Sequence, residues 1–286
     1  MMTPRKKAPS LVVVAWDGSP AAAAAFPVAR MIGAQLGADV EILHFLPEGA
    51  GTEAIEEAAR QHRLGGAEKW RLRVETGDPI TGILRTARDA DVQIVILTTH
   101  GRVVEERREL GRVAEQVVAR TTTPIILVRP EAPPVREELK RLLLPVDGTP
   151  KTAKALQPAT DLAAWLGASL DLLYVAAHDG DRPTERGSMT TPRYVDQRHH
   201  EWPDWADEVV ERLAVYCANC PPEVPVEMHL AHGDIGREIE RFAIEHKSDA
   251  VVLVRRSRLQ VGHAKILRAV VTGAPCPILI CSGPET

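Results

Sequence analysis

The sequence predicts an α/β protein made of two copies of a doubly wound, mostly parallel five-stranded sheet, and three observations carry that prediction. The chain repeats itself: Leu11-Val-Val-Val-Ala-Trp-Asp17-Gly18-Ser19-Pro20 returns as Arg141-Leu-Leu-Leu-Pro-Val-Asp147-Gly148-Thr149-Pro150, an offset of 130 residues. The same offset carries Leu36-Gly37-Ala38 onto Leu166-Gly167-Ala168, and internal repetition decides architecture before any local feature does. Within each repeat, short apolar segments of strand length alternate with segments of helical period, the pattern of βαβ units on a parallel sheet. The first helix also has a clean start, because Ser19-Pro20 places an N-cap hydroxyl before a proline at the first helical position.

The elements follow in order. An apolar run over residues 12–16 predicts the first strand, and Asp17-Gly18 ends it. A helix then runs through the alanines and stops near Gly37, a residue suited to a left-handed cap. Strands are predicted over 40–45, 71–75, 94–97 and 125–128, and helices over 53–68, 80–88 and 112–120. Right-handed crossovers place helices on both faces of such a sheet. The repeats are assigned to residues 10–130 and 139–282, and the stretch 131–138, which holds Glu131-Ala-Pro-Pro-Val-Arg136, separates them with two prolines that continue neither neighbour. Gly77-Asp78 matches Gly233-Asp234 at an offset of 156, and Thr123-Pro124 matches Cys276-Pro277 at 153. Repeat two therefore gains 26 residues between its second and third strands and loses 3 near its fourth. The gain falls around residues 179–205, a Pro-, Arg-, Thr- and His-rich stretch that reads as a loop.

A chain of 286 residues accommodates two domains, each of about 140 residues and able to bury its own core. It is 44% hydrophobic and 26% charged, the composition of an ordinary globular protein. A net charge of -4 and a pI of about 6.2 argue against general binding to nucleic acid or to anionic membranes. No uncharged apolar run approaches the roughly 18 residues of a membrane span. Arg5-Lys6-Lys7 ahead of Leu11 mimics a secretion leader, but the Asp17-Gly18 break makes a buried strand the better reading. Four cysteines without a regular framework suggest a reducing compartment, hence the cytoplasm.

The strand ends carry a more specific signal. Asp17-Gly18-Ser19 follows the first strand, Thr76-Gly77-Asp78-Pro79 precedes the third helix, and Thr98-Thr99-His100-Gly101-Arg102 follows the fourth strand. The run from Gly111 to Arg120 leads into Thr123-Pro124-Ile125. In this order, and partly duplicated, these motifs resemble those of the universal stress protein family. The resemblance implies a Rossmann-like fold of the adenine nucleotide alpha-hydrolase-like type and a non-enzymatic stress-response role. It also implies intramolecular pairing of the repeats, with a homodimer as a further level, and ATP or AMP as ligand.

Nucleotide-binding members of that family carry Gly-x-x-Gly, nine residues, then Gly-Ser/Thr. Glycine serves there because backbone N–H groups must approach phosphate oxygens closely, and the last glycine opens a helix whose N-terminus favours an anion. Gly101 and Gly111 keep the nine-residue spacing, while Thr98 replaces the first glycine and Arg112 the hydroxyl residue. The resemblance thus assigns a weak nucleotide site in repeat one to Asp17, Gly18, Phe45, Thr98, His100, Gly101, Arg102, Gly111 and Arg112. In repeat two the matching positions read Val254, Ser257, Ala264 and Lys265, with no glycine. Asp147, Val175, Arg255, Arg256 and Lys265 then form a degenerate second site, basic but without a backbone cradle.

Blander readings stand beside these. Asp17 equally suits a turn carboxylate that accepts backbone N–H bonds, and His100 a turn hydrogen bond. Cys217-Ala-Asn-Cys220 follows a helical segment and precedes Pro221-Pro222, which suits neither a zinc site nor a redox pair. No Gly-x-Ser-x-Gly elbow, Walker loop or His-Glu-x-x-His is present, so no catalytic and no metal-binding residues are assigned. The competing reading is a scaffold that has lost ATP binding in both repeats.

Overall fold

The computed structural model describes residues 10–49, 70–101, 110–146, 153–176, 220–255 and 270–282, with isolated helical positions between them. Two compact units divide the chain, Met1–Glu138 with Cys276–Ile280, and Leu139–Pro275 with Cys281–Thr286.

In unit one, β1 (Leu11–Trp16), β2 (Asp39–Leu46), β3 (Arg71–Thr76), β4 (Val92–Thr98) and β5 (Ile125–Val128) lie in the order β3-β2-β1-β4-β5. All four pairings are parallel, for example Val14↔Ile42 and Leu97↔Leu127. Val12, Val13 and Val14 of the central strand are fully buried, because a parallel strand covered on both faces needs a continuous apolar run and not an alternating one. Ile32, Ile42, Leu43, Ile94 and Ile96 complete this core at 0% exposure, each burial stabilising by about 1.5–3 kcal/mol.

The first helix differs from its expected single run. It breaks into α1 (Pro20–Ala23) and α2 (Ala25–Leu36) at Ala24. Pro27 explains the break, because it has no N–H to bond the carbonyl of Ala23, four residues back. Ser19 caps α1 by accepting from the Ala22 N–H, and Gly37 ends α2 in the left-handed region at φ 58°. The next complete helices are α3 (Pro79–Thr86) and α4 (Arg112–Arg120). Of the helix expected over 53–68, only positions 53, 54, 57 and 60 lie among the described residues, and these are helical.

Unit two repeats the plan with β6 (Arg141–Val146), α5 (Leu156–Leu166), β7 (Ser169–Ala176), β8 (Val226–His232), α6 (Ile235–Glu245) and β9 (Ala250–Arg255). The β6–β7, β7–β8 and β6–β9 pairings are parallel. Gly167 caps α5 at φ 65° as Gly37 caps α2. The insertion expected around 179–205 lies outside the described residues.

One expectation is corrected. The strands form a single ten-stranded sheet in the order β3-β2-β1-β4-β5-β10-β9-β6-β7-β8, not two separate five-stranded sheets. The cause is β10 (Ile278–Ser282), whose residues up to Ile280 belong to unit one. It pairs antiparallel with β5 through Ile278↔Leu127, Leu279↔Ile126 and Ile280↔Ile125, satisfying backbone groups that an open edge would leave unpaired.

Candidate functional site

In unit one the strand order reverses between β1 and β4, and ligands of such sheets bind beyond the carboxyl ends of the strands at that point. A cavity of about 530 Å³ occupies this position, within the size range of small-molecule sites. Asp17, Phe45, Thr98, His100, Gly101, Gly111 and Arg112 all line it. The residues assigned from sequence are therefore brought together, except Gly18, which shapes the adjoining turn at φ 85°, and Arg102, which lies outside the described residues.

The first wall is the turn after β1. Asp17 Oδ1 accepts the Ser19 N–H at 2.9 Å, and Ser19 Oγ accepts the Ala22 N–H at 3.1 Å. Asp17 therefore closes the turn and also faces the cavity. A Cβ on Gly101 would lie 2.2 Å from Asp17 Oδ2, so any larger residue there displaces the carboxylate. Trp16 lines the cavity too and donates its indole N–H to the Ser19 carbonyl at 3.2 Å. Behind it the buried His44 bonds the Trp16 carbonyl through Nδ1 at 2.8 Å. A carbonyl only accepts, so Nδ1 carries the proton.

The opposite wall is the start of α4. Gly111 donates its N–H to the Thr99 carbonyl at 2.7 Å, and a Cβ on it would approach that same oxygen to 3.2 Å. Gly111 is the N-cap of α4 and offers no side-chain cap, whereas Ser19 caps α1, Asp78 caps α3 and Asp234 caps α6. Gly111, Arg112, Val113 and Ala114 all face the cavity. A helix start that no described side chain caps, opening into a cavity, is an electrostatically positive place, through its first-turn N–H groups and the helix dipole. Nearby, the Asp78 carboxyl is held below its ordinary range, chiefly by hydrogen bonds from the Thr81 hydroxyl and N–H, with a smaller contribution from the charge of Arg112.

The cavity lining is mixed in character. Leu43, Phe45, Pro47, Ile83 and Leu97 are its apolar side chains, and His100 and Arg112 bring polar groups beside the backbones of Gly101 and Gly111. Trp16, Pro47 and Ile83 were not singled out from the sequence, and Pro79 was read only as part of the turn before the third helix. Trp16 and Pro47 follow from being neighbours of strand ends, but Ile83 is read only as a core residue of an amphipathic helix.

Unit two offers no matching assembly among the described residues. Asp147, Arg256 and Lys265 lie outside them, Arg255 ends β9, and Val175 is buried in β7. Of the Cys217/Cys220 pair, whose role the sequence left open, Cys217 also lies outside them, and Cys220 is disulfide-bonded. Its Sγ accepts from the Thr160 hydroxyl at 3.2 Å. Cys276 and Cys281 are buried thiols outside any disulfide, and burial pushes the Cys281 thiol up to about 12. The described residues contain one grouping with metal-ligand spacing, Asp171, Glu227 and His229. Arg141 already holds both oxygens of Asp171, with Nε to Oδ2 at 2.5 Å and Nη2 to Oδ1 at 3.0 Å. His229 Nε2 reaches Oδ1 at 3.2 Å. The group is an ion-pair network whose cation is a guanidinium.

Comparison with known proteins agrees with this architecture. The sequence pattern of the universal stress protein family matches residues 11–129 and 138–282. The chain belongs to that family, with two of its domains in tandem. It is 33% identical over 135 residues to a universal stress protein of Mycolicibacterium smegmatis, a match spanning 42% of this chain and 45% of that relative. Among solved structures it is similar in fold to a universal stress protein of Archaeoglobus fulgidus DSM 4304, with a TM-score of 0.62 and 17% identity. That match covers 96% of this chain and 97% of the other. A protein of Pseudomonas aeruginosa UCBPP-PA14 assigned to the same family matches with a TM-score of 0.59 at 13% identity, covering 96% and 94%.

Proposed function

We propose that this tandem universal stress protein is a non-enzymatic, cytoplasmic regulator of the stress response, and that unit one binds an adenine nucleotide weakly while unit two does not. The observation that carries the reading is the start of α4, uncapped and opening on the cavity with Arg112 at its first turn. The apolar lining suits a base, and the polar lining suits a phosphate. Thr98 in place of a glycine makes the backbone cradle less complete, which argues for weak binding. The motifs of hydrolases and kinases are missing from the sequence, so the cavity is read as a binding site and not as an active site. In this reading the repeats act as a pair within one chain, with a homodimer as a further level that small-angle scattering resolves.

Isothermal titration of the folded chain with AMP and with ATP tests the proposal. The expected result is saturable heat with a dissociation constant on the order of 0.1–1 mM. Absence of heat with both ligands up to millimolar concentration overturns nucleotide binding and leaves the scaffold reading in its place.

A further inference from the structure

Unit two places two histidines where unit one places none. At the offset of 156 that aligns the third strands and the helices after them, His229 of β8 stands at the position of Arg73, and His246, the C-cap of α6, at that of Ala90. Both histidines are half-buried, and both line a groove of about 450 Å³ walled by β8 and α6. Their ring centres lie 5.1 Å apart, with 59° between the planes. Phe242 holds the two rings. It is buried on α6, stacks on His246 with centres 3.9 Å apart and planes 8° from parallel, and meets His229 at 4.7 Å. In unit one the matching position is Thr86, whose hydroxyl accepts from Arg73 at 2.6 Å.

The ring nitrogens decide what this pair can do. His229 Nε2 lies 3.2 Å from Asp171 Oδ1, an oxygen that also accepts from Arg141 Nη2 at 3.0 Å. A carboxylate only accepts, so Nε2 carries the proton and the neutral ring keeps its lone pair on Nδ1. Nδ1 makes no hydrogen bond to a described residue, and neither side-chain nitrogen of His246 makes one. An imidazole whose one N–H is held by a carboxylate, with its other nitrogen open, is arranged as a metal ligand, because the carboxylate fixes the tautomer and raises the basicity of the ring. The spacing agrees. Two imidazoles on one tetrahedral zinc ion, each nitrogen about 2.0–2.1 Å from the metal, set their ring centres roughly 5 Å apart. His246 also stands at the carboxyl end of α6, where the helix dipole favours a cation. Glu238 pairs with Arg241 on the groove wall, while Glu245 lines the same groove with no ion pair to a described residue.

We propose that His229, through Nδ1, and His246 together hold a late first-row divalent metal ion, zinc foremost, with Glu245 as the carboxylate beside them. Imidazole is a donor suited to zinc, copper and nickel. The ion ties β8, the last strand of the sheet, to the end of α6. It lies on the other side of the His229 ring from the Asp171–Glu227 group, where the Arg141 guanidinium already supplies the positive charge. The site belongs to unit two alone and does not depend on the nucleotide reading of unit one.

The test adds zinc chloride alone to the full chain and to its His229→Gln and His246→Gln variants, with circular dichroism confirming that each is folded. Glutamine at 229 retains an N–H for Asp171. Equilibrium dialysis counts bound ions, and long-range proton–nitrogen spectra read the histidine ring nitrogens one by one. The expected result is that wild type retains one zinc ion more than either variant at low micromolar free zinc. In the same samples zinc moves the Nδ1 resonance of His229 and one ring-nitrogen resonance of His246. Zinc that leaves both rings unmoved in wild type overturns the proposal without reference to any variant. Equal uptake by wild type and both variants puts the ion elsewhere and overturns it as well. Loss in His229→Gln alone assigns the ion to the Asp171–Glu227–His229 group, and loss in His246→Gln alone leaves His229 out; either result refutes a shared site.

Discussion

Both units bury one carboxylate at the same place on their second strand, and they neutralise it in different ways. Glu41 in β2 and Asp171 in β7 are each 2% exposed. Glu41 is met from the edge strand β3, by Arg73 Nε at 3.1 Å and Arg71 Nη1 at 3.5 Å. The Arg73 contact is close but not aligned as a hydrogen bond, since Glu41 Oε1 and Arg73 Nε have no hydrogen-bond partner. Asp171 is met from the inner strand β6 by Arg141, whose two nitrogens grip its two oxygens. Those hydrogen bonds raise the Arg141 pKa further above its ordinary value. The edge strand of unit two then brings Glu227 and His229 where unit one has Arg71 and Arg73. The comparison teaches that duplication has kept the slot in the sheet and let its chemistry drift. The ligand end follows the same rule: unit one keeps Gly101 and Gly111, and unit two has Ser257 and Ala264 at those positions.

The largest expected effect comes from breaking the ligand end. A Cβ on Gly111 already crowds the Thr99 carbonyl at 3.2 Å, and an indole there fills the cavity beside the α4 N-terminus. Gly111→Trp is expected to abolish AMP and ATP binding by the whole chain, while Ala264→Trp leaves it intact. Titration calorimetry of both variants decides. Binding that survives in the first and disappears in the second would mean that the basic second loop is the anion site.

The middle effect separates the two buried carboxylates. The Arg73 and Arg141 side chains are 34% and 35% exposed, so solvent screening is alike and geometry makes the difference. Arg141→Met strands Asp171 without its paired guanidinium, at a cost of about 3 kcal/mol. Arg73→Met leaves Arg71 beside Glu41 and removes an unaligned pair, at about 1 kcal/mol or less. Hydrogen-exchange mass spectrometry of peptides covering β7 and β2 reads the two units separately. Equal loss of protection in both would show that the geometric distinction has no energetic weight.

Much of this was legible in the sequence because the repeat made each element appear twice. The Asp17 turn, the Gly37 cap and the span 112–120 follow from hydroxyl, proline and glycine chemistry that acts within four or five residues. The α1–α2 break at Ala24 was legible too, had Pro27 been weighed against the alanine run. What lay beyond reading were facts about distant pairs. Nothing local to Gly82 places it against Phe45, whereas the family resemblance implied contact between the last strands, Pro124 to Val128 and Pro277 to Cys281, without giving its antiparallel register. Asp17, Phe45, Thr98, His100 and Gly101 came together because each lies at or close to a strand end, and Gly111 and Arg112 because they open α4 onto the same cavity. Of the basic residues assigned to the second site, Arg255, at the end of β9, lies among the described residues.

The smallest effect tests whether features shared by the units are equal in strength. Asp78 caps α3 and Asp234 caps α6, accepting the Thr81 N–H at 2.9 Å and the Arg237 N–H at 3.1 Å. Asp78 alone gains a second bond, from the Thr81 hydroxyl at 2.7 Å, because residue 237 is an arginine and has no hydroxyl to offer. Loss of such a cap costs about 0.5–2 kcal/mol, and Asp78→Ala is expected to fall above Asp234→Ala within that range. The Asp78 carboxyl is held below its ordinary value by those bonds. Its contribution is therefore complete above the unfolded-state pKa of about 3.9 and is lost as pH falls through the lower folded-state value. Thermal melts of wild type and Asp78→Ala at pH 7 should differ most, and the gap should close as the pH drops below about 4. A gap that is as wide at pH 3 as at pH 7 would mean that the carboxylate charge contributes nothing and that the aspartate acts at this turn through its shape alone.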